Sequence, residues 1–365
     1  MRIVEGNNPE MLGEDARADA ETTHARLRSI AALVVTGVVV VWVLWRTGYG
    51  TMPALDAFES IARQWPHSSV SPAFGYTLRS PLGYVVYQLA PEQSPHVYAM
   101  MHLLCLAGVA LVLTAWLVRR LGVARSTTAV MVLACAPVTA VTLLWIGIYD
   151  AFSLAGWVAV LMTLRSRPVA QYLAAIVVGL QNFEQGAVGI VVLLLLPRLV
   201  RATGSVPRPL ALLGGLLTGK VLLEGYLYSV GAVSGTRLSY LFVGNKLRDV
   251  LTASFDAAPM LIWSAFGGLW VLVAIGARSL ARAGTRREIA MAAAAVAIWF
   301  GSAFVTEDHT RVLALTSFPA LVLASIVIAL RHRDVLDFLK TPAAVILLVA
   351  PPLVLWGGMT LSTGW

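Results

Sequence analysis

Residues 29–45 read SIAALVVTGVVVVWVLW, an apolar run that decides the fold class. About 20 apolar residues cross the hydrocarbon core of a bilayer, and a backbone in lipid must satisfy its own hydrogen bonds, which favours a helix. Similar runs recur along the chain. The 365 residues are 58% hydrophobic and 13% charged, with a mean hydropathy of +0.77, which excludes a soluble domain of this length. The sequence predicts an all-α, polytopic transmembrane helical bundle.

A long polar interval, residues 46–96, follows this first run and is the predicted first extracytoplasmic loop. Loops of this length in compact folds are usually functional or disordered. The stretch ALDAFESIAR at 54–63 has helical and aromatic content, so we expect an ordered loop with short helices. A second long polar interval, residues 234–258, is the other extended loop expected on this side.

The apolar runs predict about eleven spans within a single transmembrane domain, residues 29–365, preceded by a polar cytoplasmic tail, residues 1–28. The predicted spans are residues 29–45, 97–118, 127–147, 151–164, 169–180, 186–197, 210–233, 260–276, 289–305, 312–330 and 343–356. The fifth and sixth are marginal in length and form either two thin spans or a re-entrant hairpin. Both alternatives return the chain to the same side.

Basic residues cluster in alternate loops, which indicates the orientation of the chain. The clusters are Arg119/Arg120/Arg125, Arg165/Arg167, Arg198/Arg201/Arg208, Arg278/Arg282/Arg286/Arg287 and Arg331/Arg333. The positive-inside rule makes these loops cytoplasmic, with the N-terminus inside and the C-terminus outside. The net charge of +8 therefore reflects topology rather than nucleic-acid binding. We expect a multi-pass plasma-membrane protein whose acidic loops face outward.

Two acids occupy a recognisable layout: Asp56 lies shortly after the first span, and Asp150 lies at the turn between the third and fourth. This layout, over roughly the first half of the chain, resembles the GT-C superfamily of integral membrane glycosyltransferases, which includes protein O-mannosyltransferases. The resemblance implies a polyprenyl-phosphate sugar as donor substrate, no separate cofactor, and an active site at the outer membrane face. It also implies transfer with inversion to an extracytoplasmic envelope glycan or lipid.

Asp56, Asp150 and Glu59 are the candidate catalytic residues. Many GT-C members carry two adjacent acids in the first loop, whereas Glu59 stands three residues after Asp56, which leaves open which of the two acts. The reaction needs a carboxylate to accept the proton of the acceptor hydroxyl and cations to hold the departing phosphate. The alternative role for Asp56 and Asp150 is to stabilise the start of a helix. A carboxylate below the membrane surface, as expected for Asp150, costs free energy, which favours a role in the site for this residue.

A second group of residues is predicted to bind substrate or phosphate. Its members are Arg79, Glu184, Arg237, Lys246, Glu307, Asp308, His309 and Arg311. The charges of residues 307–311 either hold a phosphate or pair with one another, and Glu184 is equally a hydrogen-bonding group at a tight turn. Lys220 and Glu224, four residues apart in an apolar run, form an ion pair or line the route of a lipid phosphate.

Aromatic residues of the first loop supply the remaining candidates, since Trp65 and Tyr76 are possible sugar contacts. No metal site is predicted. The Gly214–Gly215 and Gly267–Gly268 pairs lie in apolar runs, where close helix packing explains them.

Two other functions compete with glycosyl transfer: a lipid or glycolipid transporter, and a non-catalytic subunit of an envelope-assembly complex. An enzyme requires Asp56, Asp150 and the charged turn at residues 307–311 (the 307–311 tip) to lie at one cavity. A transporter requires polar residues that continue to the cytoplasmic side. The expected partners are the lipid bilayer, a lipid-linked sugar donor, a glycan or lipid acceptor and other envelope-assembly proteins, with no nucleic acid.

Overall fold

A computed structural model describes residues 9–67, 77–232, 241–242, 244–350, 353–356 and 359–361, with side chains left out at 9–22, 356 and 359–361. The helices of these segments are α1 (Pro9–Thr47), α2 (Leu55–Gln64), α3 (Pro81–Gln88), α4 (Pro95–Leu121), α5 (Val123–Ala134), α6 (Pro137–Leu144), α7 (Asp150–Thr163), α8 (Pro168–Leu194), α9 (Pro197–Ala202), α10 (Pro209–Ser229), α11 (Lys246–Asp256), α12 (Ala258–Phe266), α13 (Trp270–Ala283), α14 (Arg286–Phe304), α15 (His309–Arg331), α16 (Val335–Phe338) and α17 (Pro342–Val349). A short antiparallel hairpin of β1 (Val354–Trp356) and β2 (Met359–Leu361) follows.

Helix starts follow from local sequence. Many helices begin at a proline, which lacks the N–H that a first-turn residue leaves unbonded in any case. Ser94 caps α4 by accepting a hydrogen bond from the Val97 N–H at 3.3 Å. Thr285 and Glu288 form a reciprocal capping box at the start of α14.

Seven helical stretches in the described chain are long and apolar enough to cross a membrane. They are Thr23–Thr47, Pro95–Leu121, Pro168–Leu194, Pro209–Ser229, Ala258–Ala283, Arg286–Phe304 and His309–Arg331. An eighth is present if α5 and α6, which are bent by 59°, count as one span. The structure therefore confirms a polytopic helical membrane protein, while the predicted count of about eleven spans is not confirmed.

Local breaks in the helices account for most of this difference. The predicted span 127–147 is interrupted where Pro137 starts α6, because proline cannot donate the helical hydrogen bond. The predicted span 151–164 is the 14-residue α7, roughly 21 Å long and shorter than a hydrocarbon core of about 30 Å. The predicted last span, 343–356, is wrong as a helix: α17 ends at Val349 and a strand follows.

Helix α8 folds back on itself at Asn182, whose backbone is not helical (φ −161°, ψ 81°). A methyl group at Gly186 would lie 2.7 Å from the Val178 side chain, although eight residues of straight helix span about 12 Å. The chain beyond α8 also returns to the start of α8, since the N–H of Arg208, just before α10, donates to the Gln171 side chain at 2.8 Å. The chain thus returns to the same end of the bundle, as both sequence alternatives required.

Helices α8 and α10 pack at backbone contact because glycines face each other. A Cβ at Gly215 would lie 2.2 Å from the Tyr172 carbonyl oxygen, and one at Gly219 would lie 2.3 Å from that of Ile176. Small residues allow this approach in membrane helices. The predicted packing role of the Gly214–Gly215 pair is confirmed for Gly215.

Helix α15 is the core of the bundle, and 78% of its most apolar window is buried. A helix that is apolar on all sides suits the core of a bundle as well as lipid, and here other elements cover most of it. The hairpin is tied to the start of this helix, where the Leu355 N–H donates to Thr310 Oγ1 at 2.8 Å.

The basic linkers meet at one end of the bundle. Arg165 donates to the Thr203 carbonyl at 2.7 Å, and Arg120 donates to the same carbonyl. Arg198 donates to the Ala283 carbonyl at 2.7 Å, and Arg201 pairs with Glu288 at 2.5 Å. At the same end, Arg28 pairs with Asp334 at 2.5 Å, and Val335 N–H donates to Thr127 Oγ1 at 3.0 Å. We call this the basic end.

Candidate functional site

The Asp150 carboxylate forms a two-bond ion pair with the Arg311 guanidinium. Arg311 Nε donates to Oδ2 at 2.7 Å, and Nη2 donates to Oδ1 at 2.9 Å. Both side chains are 2% exposed. Arg311 Nη1 donates to Asp308 at 2.6 Å, and the Tyr149 ring lies 4.6 Å from the guanidinium carbon. The structure thus brings the second-loop acid together with the 307–311 tip, although Asp150 and Arg311 are 161 positions apart.

This geometry favours a positioning role for Asp150. Both carboxylate oxygens accept hydrogen bonds from one planar guanidinium, the arrangement in which Arg–carboxylate pairs are strongest and most directional. A carboxylate with both oxygens bonded to Arg311 is poorly placed to contact an acceptor hydroxyl. The pair joins the start of α7 to the start of α15 and fixes both turns.

The two first-loop acids lie in different environments. Glu59 is buried, and its Oε1 accepts hydrogen bonds from Arg63 at 2.6 Å and from the Tyr87 hydroxyl at 2.5 Å. Burial, followed by the hydrogen bond to Glu59, raises the pKa of Tyr87, so this phenol stays protonated and donates. Asp56 is exposed in the first turn of α2, and no hydrogen bond or ion pair joins it to another residue in the described ranges. Of the two acids, Asp56 is the accessible one.

The loop before Asp56 pairs with the loop before Asp150. Thr51 and Ile146 form a parallel bridge, with the Met52 N–H donating to the Ile146 carbonyl at 3.0 Å. A methyl group at Gly147 would lie 2.3 Å from the Leu55 side chain. Asp56 and Asp150 therefore stand on adjoining loops at one end of the bundle rather than on opposite flanks.

Four charged side chains from three other parts of the chain form a half-buried network, which we call the charged network. Arg79 donates to both oxygens of Glu224, at 2.5 and 2.9 Å. Lys220 lies 2.8 Å from Glu224 and 3.5 Å from Glu184. The Lys220–Glu224 ion pair predicted from their spacing is confirmed, and it is extended by Arg79 and Glu184, two of the predicted substrate-binding residues.

An aromatic pair lies beside the charged network. Trp65 stacks on Tyr226, with ring centroids 5.4 Å apart, and its Nε1 donates to the Leu78 carbonyl at 3.1 Å, next to Arg79. The sequence predicted Trp65 as a sugar contact but not its partner Tyr226, which follows Glu224 by half a turn of α10. Tyr76 lies outside the described residues.

Gln181 connects the charged network to the buried ion pair. Its Nε2 donates to the Tyr149 carbonyl at 3.1 Å, and its Oε1 accepts from the Leu82 N–H at 3.0 Å. Because Gln181 precedes Glu184 at the fold of α8, this turn contacts both α3 and the residue before Asp150. The predicted polar end of the bundle is therefore one connected region.

The remaining predicted residues are engaged elsewhere or lie outside the description. Lys246 pairs with Glu307, which ties α11 to the turn before α15. His309 is buried, with Nδ1 at 2.9 Å from the Ala303 carbonyl oxygen. Arg237 lies outside the described residues.

His102 is a polar residue of this region that sequence reasoning missed. Its Nδ1 lies 2.9 Å from the Tyr98 carbonyl oxygen, and its Nε2 is buried without a hydrogen-bond partner in the described chain. With Asp150 and Gly147 it lines a cavity of about 10 Å³, room for about one water molecule. The available signal was an ionisable residue inside the apolar run 97–118.

No known protein family, curated protein or solved structure matches the chain. The fold and the composition define a polytopic helical membrane protein.

Proposed function

We propose that this protein is a membrane glycosyltransferase of the GT-C type, which transfers a sugar from a polyprenyl-phosphate donor to an extracytoplasmic glycan or lipid. The observation that carries the proposal is the charged network. Charged side chains in a membrane bundle are costly and mark substrate or ion sites. Here two cations and two carboxylates meet beside an aromatic pair in a largely apolar bundle; Lys220, Glu224 and Glu184 are partly exposed, and Arg79 is buried.

The network supplies the groups that a phosphate leaving group needs. In the proposed site Arg79 and Lys220 hold the donor phosphate, and the rings of Trp65 and Tyr226 contact the sugar. Cations placed where negative charge develops stabilise the departing phosphate. Glu224 and Glu184 hold these cations in place before the donor binds.

Asp56 is the proposed general base, with inversion at the anomeric carbon. Asp56 lies in the first turn of α2, and Trp65 directly follows the last residue of this helix. The two residues are therefore roughly 13 Å apart along the helix axis. Inversion requires the base and the leaving group on opposite faces of the sugar, with room for the ring and the incoming nucleophile between them. The Asp150–Arg311 pair fixes the loop before Asp150, and that loop pairs with the loop before Asp56.

The proposed orientation puts the basic end in the cytoplasm and the charged network toward the outside. This follows from the positive-inside rule, because the Arg-rich linkers converge at one end. In this orientation the N-terminus is cytoplasmic and the active site faces the outer leaflet of the plasma membrane.

The packing below Lys220 favours an enzyme over a transporter. Toward the basic end, α10 continues with Gly219, Leu216 and Gly215, and it packs against the α8 backbone at contact distance. A transport path would need polar groups through this layer.

The decisive experiment measures sugar transfer by the purified full-length protein in nanodiscs, with polyprenyl-phosphate sugars as donors and envelope lipids as acceptors. Asp56→Asn is expected to lower kcat by about 10²- to 10⁴-fold, the usual contribution of a general base. Arg79→Gln is expected to raise the KM for the donor.

Asp256→Asn is the matched control, since Asp256 is also exposed and ends α11. It should transfer sugar at the wild-type rate. Unchanged turnover in Asp56→Asn would remove the assignment of the base. Absence of transfer with every donor tested would favour the non-catalytic subunit instead.

A further inference from the structure

Helix α11 is amphipathic and lies at the boundary of the bundle. A single residue separates its end at Asp256 from the start of the apolar stretch Ala258–Ala283. Its first residue, Lys246, pairs with Glu307 in the turn between the apolar helices α14 and α15. These two connections fix α11 at the level where membrane spans end, the usual place of interfacial amphipathic helices.

The two faces of α11 have different partners. Val250 and Ser254 are buried, and Ser254 Oγ donates to the Phe304 carbonyl at 3.1 Å, which attaches this face to α14. Of the other apolar side chains of α11, Leu247 and Leu251 are half-buried, and Phe255 is 66% exposed while its ring lies 5.1 Å from that of Phe304.

An open groove of about 450 Å³ lies along this exposed part of α11. Its apolar lining consists of Leu241, Phe242, Leu247, Leu251 and Phe255, and Arg248 stands among them. Arg248 is exposed and forms no ion pair with a carboxylate in the described part of the chain. The acidic residues of α11, Asp249 and Asp256, do not line the groove.

We propose that this groove binds one chain of an anionic phospholipid from the surrounding bilayer, with the lipid phosphate on Arg248. An apolar groove at the membrane boundary faces acyl chains rather than water. A guanidinium can donate two parallel hydrogen bonds to a phosphate. Arg248 therefore favours a lipid with an anionic headgroup over a soluble apolar ligand. Such a lipid requires no catalytic activity of the protein.

The test counts lipids retained by the purified full-length protein in native mass spectrometry, after incubation with phosphatidylglycerol or phosphatidylcholine. The wild type should retain one phosphatidylglycerol in preference to phosphatidylcholine. Arg248→Gln should lower this retention about tenfold, as expected for loss of a charged hydrogen-bonded contact. Leu251→Trp, which fills the groove, should abolish retention.

Arg282→Gln and Leu210→Trp are the matched controls, because both residues are exposed and neither lines the groove. Both variants should retain the lipid as the wild type does. Equal retention by Leu251→Trp would overturn the proposal, as would displacement by glycerol phosphate alone. Displacement by polyprenyl phosphate at equal concentration would also overturn it, because the groove would then belong to the donor substrate.

Discussion

The buried pair of Asp150 and Arg311 is the contact whose loss should cost most at the level of single residues. Removal of either partner leaves the other as an uncompensated buried charge, at about 3–5 kcal/mol. Asp150→Ala is therefore expected to lower the free energy of unfolding by this amount and the Tm in detergent measurably. Sugar transfer by this variant should fall in parallel with the folded fraction.

The double variant Asp150→Asn with Arg311→Gln distinguishes this explanation from a chemical role. It removes both charges, so its loss of stability should be smaller than the sum of the two single losses. Additive losses would show that the two side chains do not stabilise each other. A fully folded Asp150→Asn protein that transfers no sugar would instead make Asp150 catalytic.

Asp334 should make stability depend on pH in the acid range. Burial raises the pKa of its carboxyl, but the hydrogen bond from Arg28 and the backbone N–H of Asp337 outweigh this, so the net pKa lies below its ordinary value. A depressed folded pKa stabilises the protein above the unfolded value of about 3.9, and this stabilisation is lost as the pH falls through the folded pKa. Asp334→Asn should therefore lower the Tm at pH 7.

The difference in Tm between this variant and the wild type should shrink below about pH 4. Asp249→Asn is the control, because Asp249 is exposed, and its Tm should follow that of the wild type at every pH. A difference that stays constant from pH 7 to pH 3 would contradict the assignment of the acid-sensitive contact to Asp334.

Composition and position alone identified Asp150, Asp308 and Arg311 as residues of one region. The sequence did not show that Arg311 would neutralise Asp150, because a pairing across 161 positions depends on how α7 and α15 pack. Glu59 illustrates the same limit. Its spacing from Asp56 left open which of the two acids acts, whereas its burial against Tyr87 follows only from the packing of α3.

At the level of elements, the contact between α8 and α10 depends on the absence of side chains at Gly179, Gly215 and Gly219. A Cβ at Gly219 would lie 2.3 Å from the Ile176 carbonyl oxygen. Gly219→Ala should therefore force the helices apart and lower the free energy of unfolding by about 1–3 kcal/mol, the usual cost of overpacking.

Gly225→Ala in the same helix is the matched control, because nothing lies within 4 Å of a Cβ at Gly225. Alanine is favoured over glycine in a helix by roughly 0.5–1 kcal/mol, so this variant should be as stable as the wild type or more stable. Thermal unfolding of both variants in the same detergent provides the comparison. Equal Tm values for the two would show that α8 and α10 are not in backbone contact.

Helix α8 shows which structural features the hydrophobic pattern of a sequence can predict and which it cannot. Two short apolar segments around Gln181–Gln185 predicted a change of direction, and the turn at Asn182 agrees with it. The hydrophobic pattern does not distinguish two thin spans from a hairpin, because both are equally apolar. The hydrophobic pattern also fails to detect the bend between α5 and α6, because apolar residues typical of a membrane span continue past Pro137.

For the whole molecule, hydropathy predicted the class of fold correctly, whereas its count of about eleven spans is not confirmed by the described residues. Run length is a poor guide where helices are shorter than the bilayer, as α7 is, or where a strand replaces the end of a run, as after α17. The grouping of the basic linkers was predictable, because charge asymmetry between loops does not depend on the exact number of crossings. The contacts at the basic end agree with that grouping.

Orientation is the prediction on which the placement of the active site depends, and single cysteines test it directly. Cys105 and Cys135 are first replaced by Ala, since both are only partly buried. Glu92→Cys, exposed in the loop between α3 and α4, and Arg282→Cys, exposed at the basic end, then provide the two label sites. A membrane-impermeant maleimide should label the first in intact cells and the second only after the membrane is opened, because the positive-inside rule retains Arg-rich linkers in the cytoplasm. The reverse pattern would put the charged network in the cytoplasm, where a donor presented at the outer leaflet cannot reach it, and the proposed reaction would be excluded.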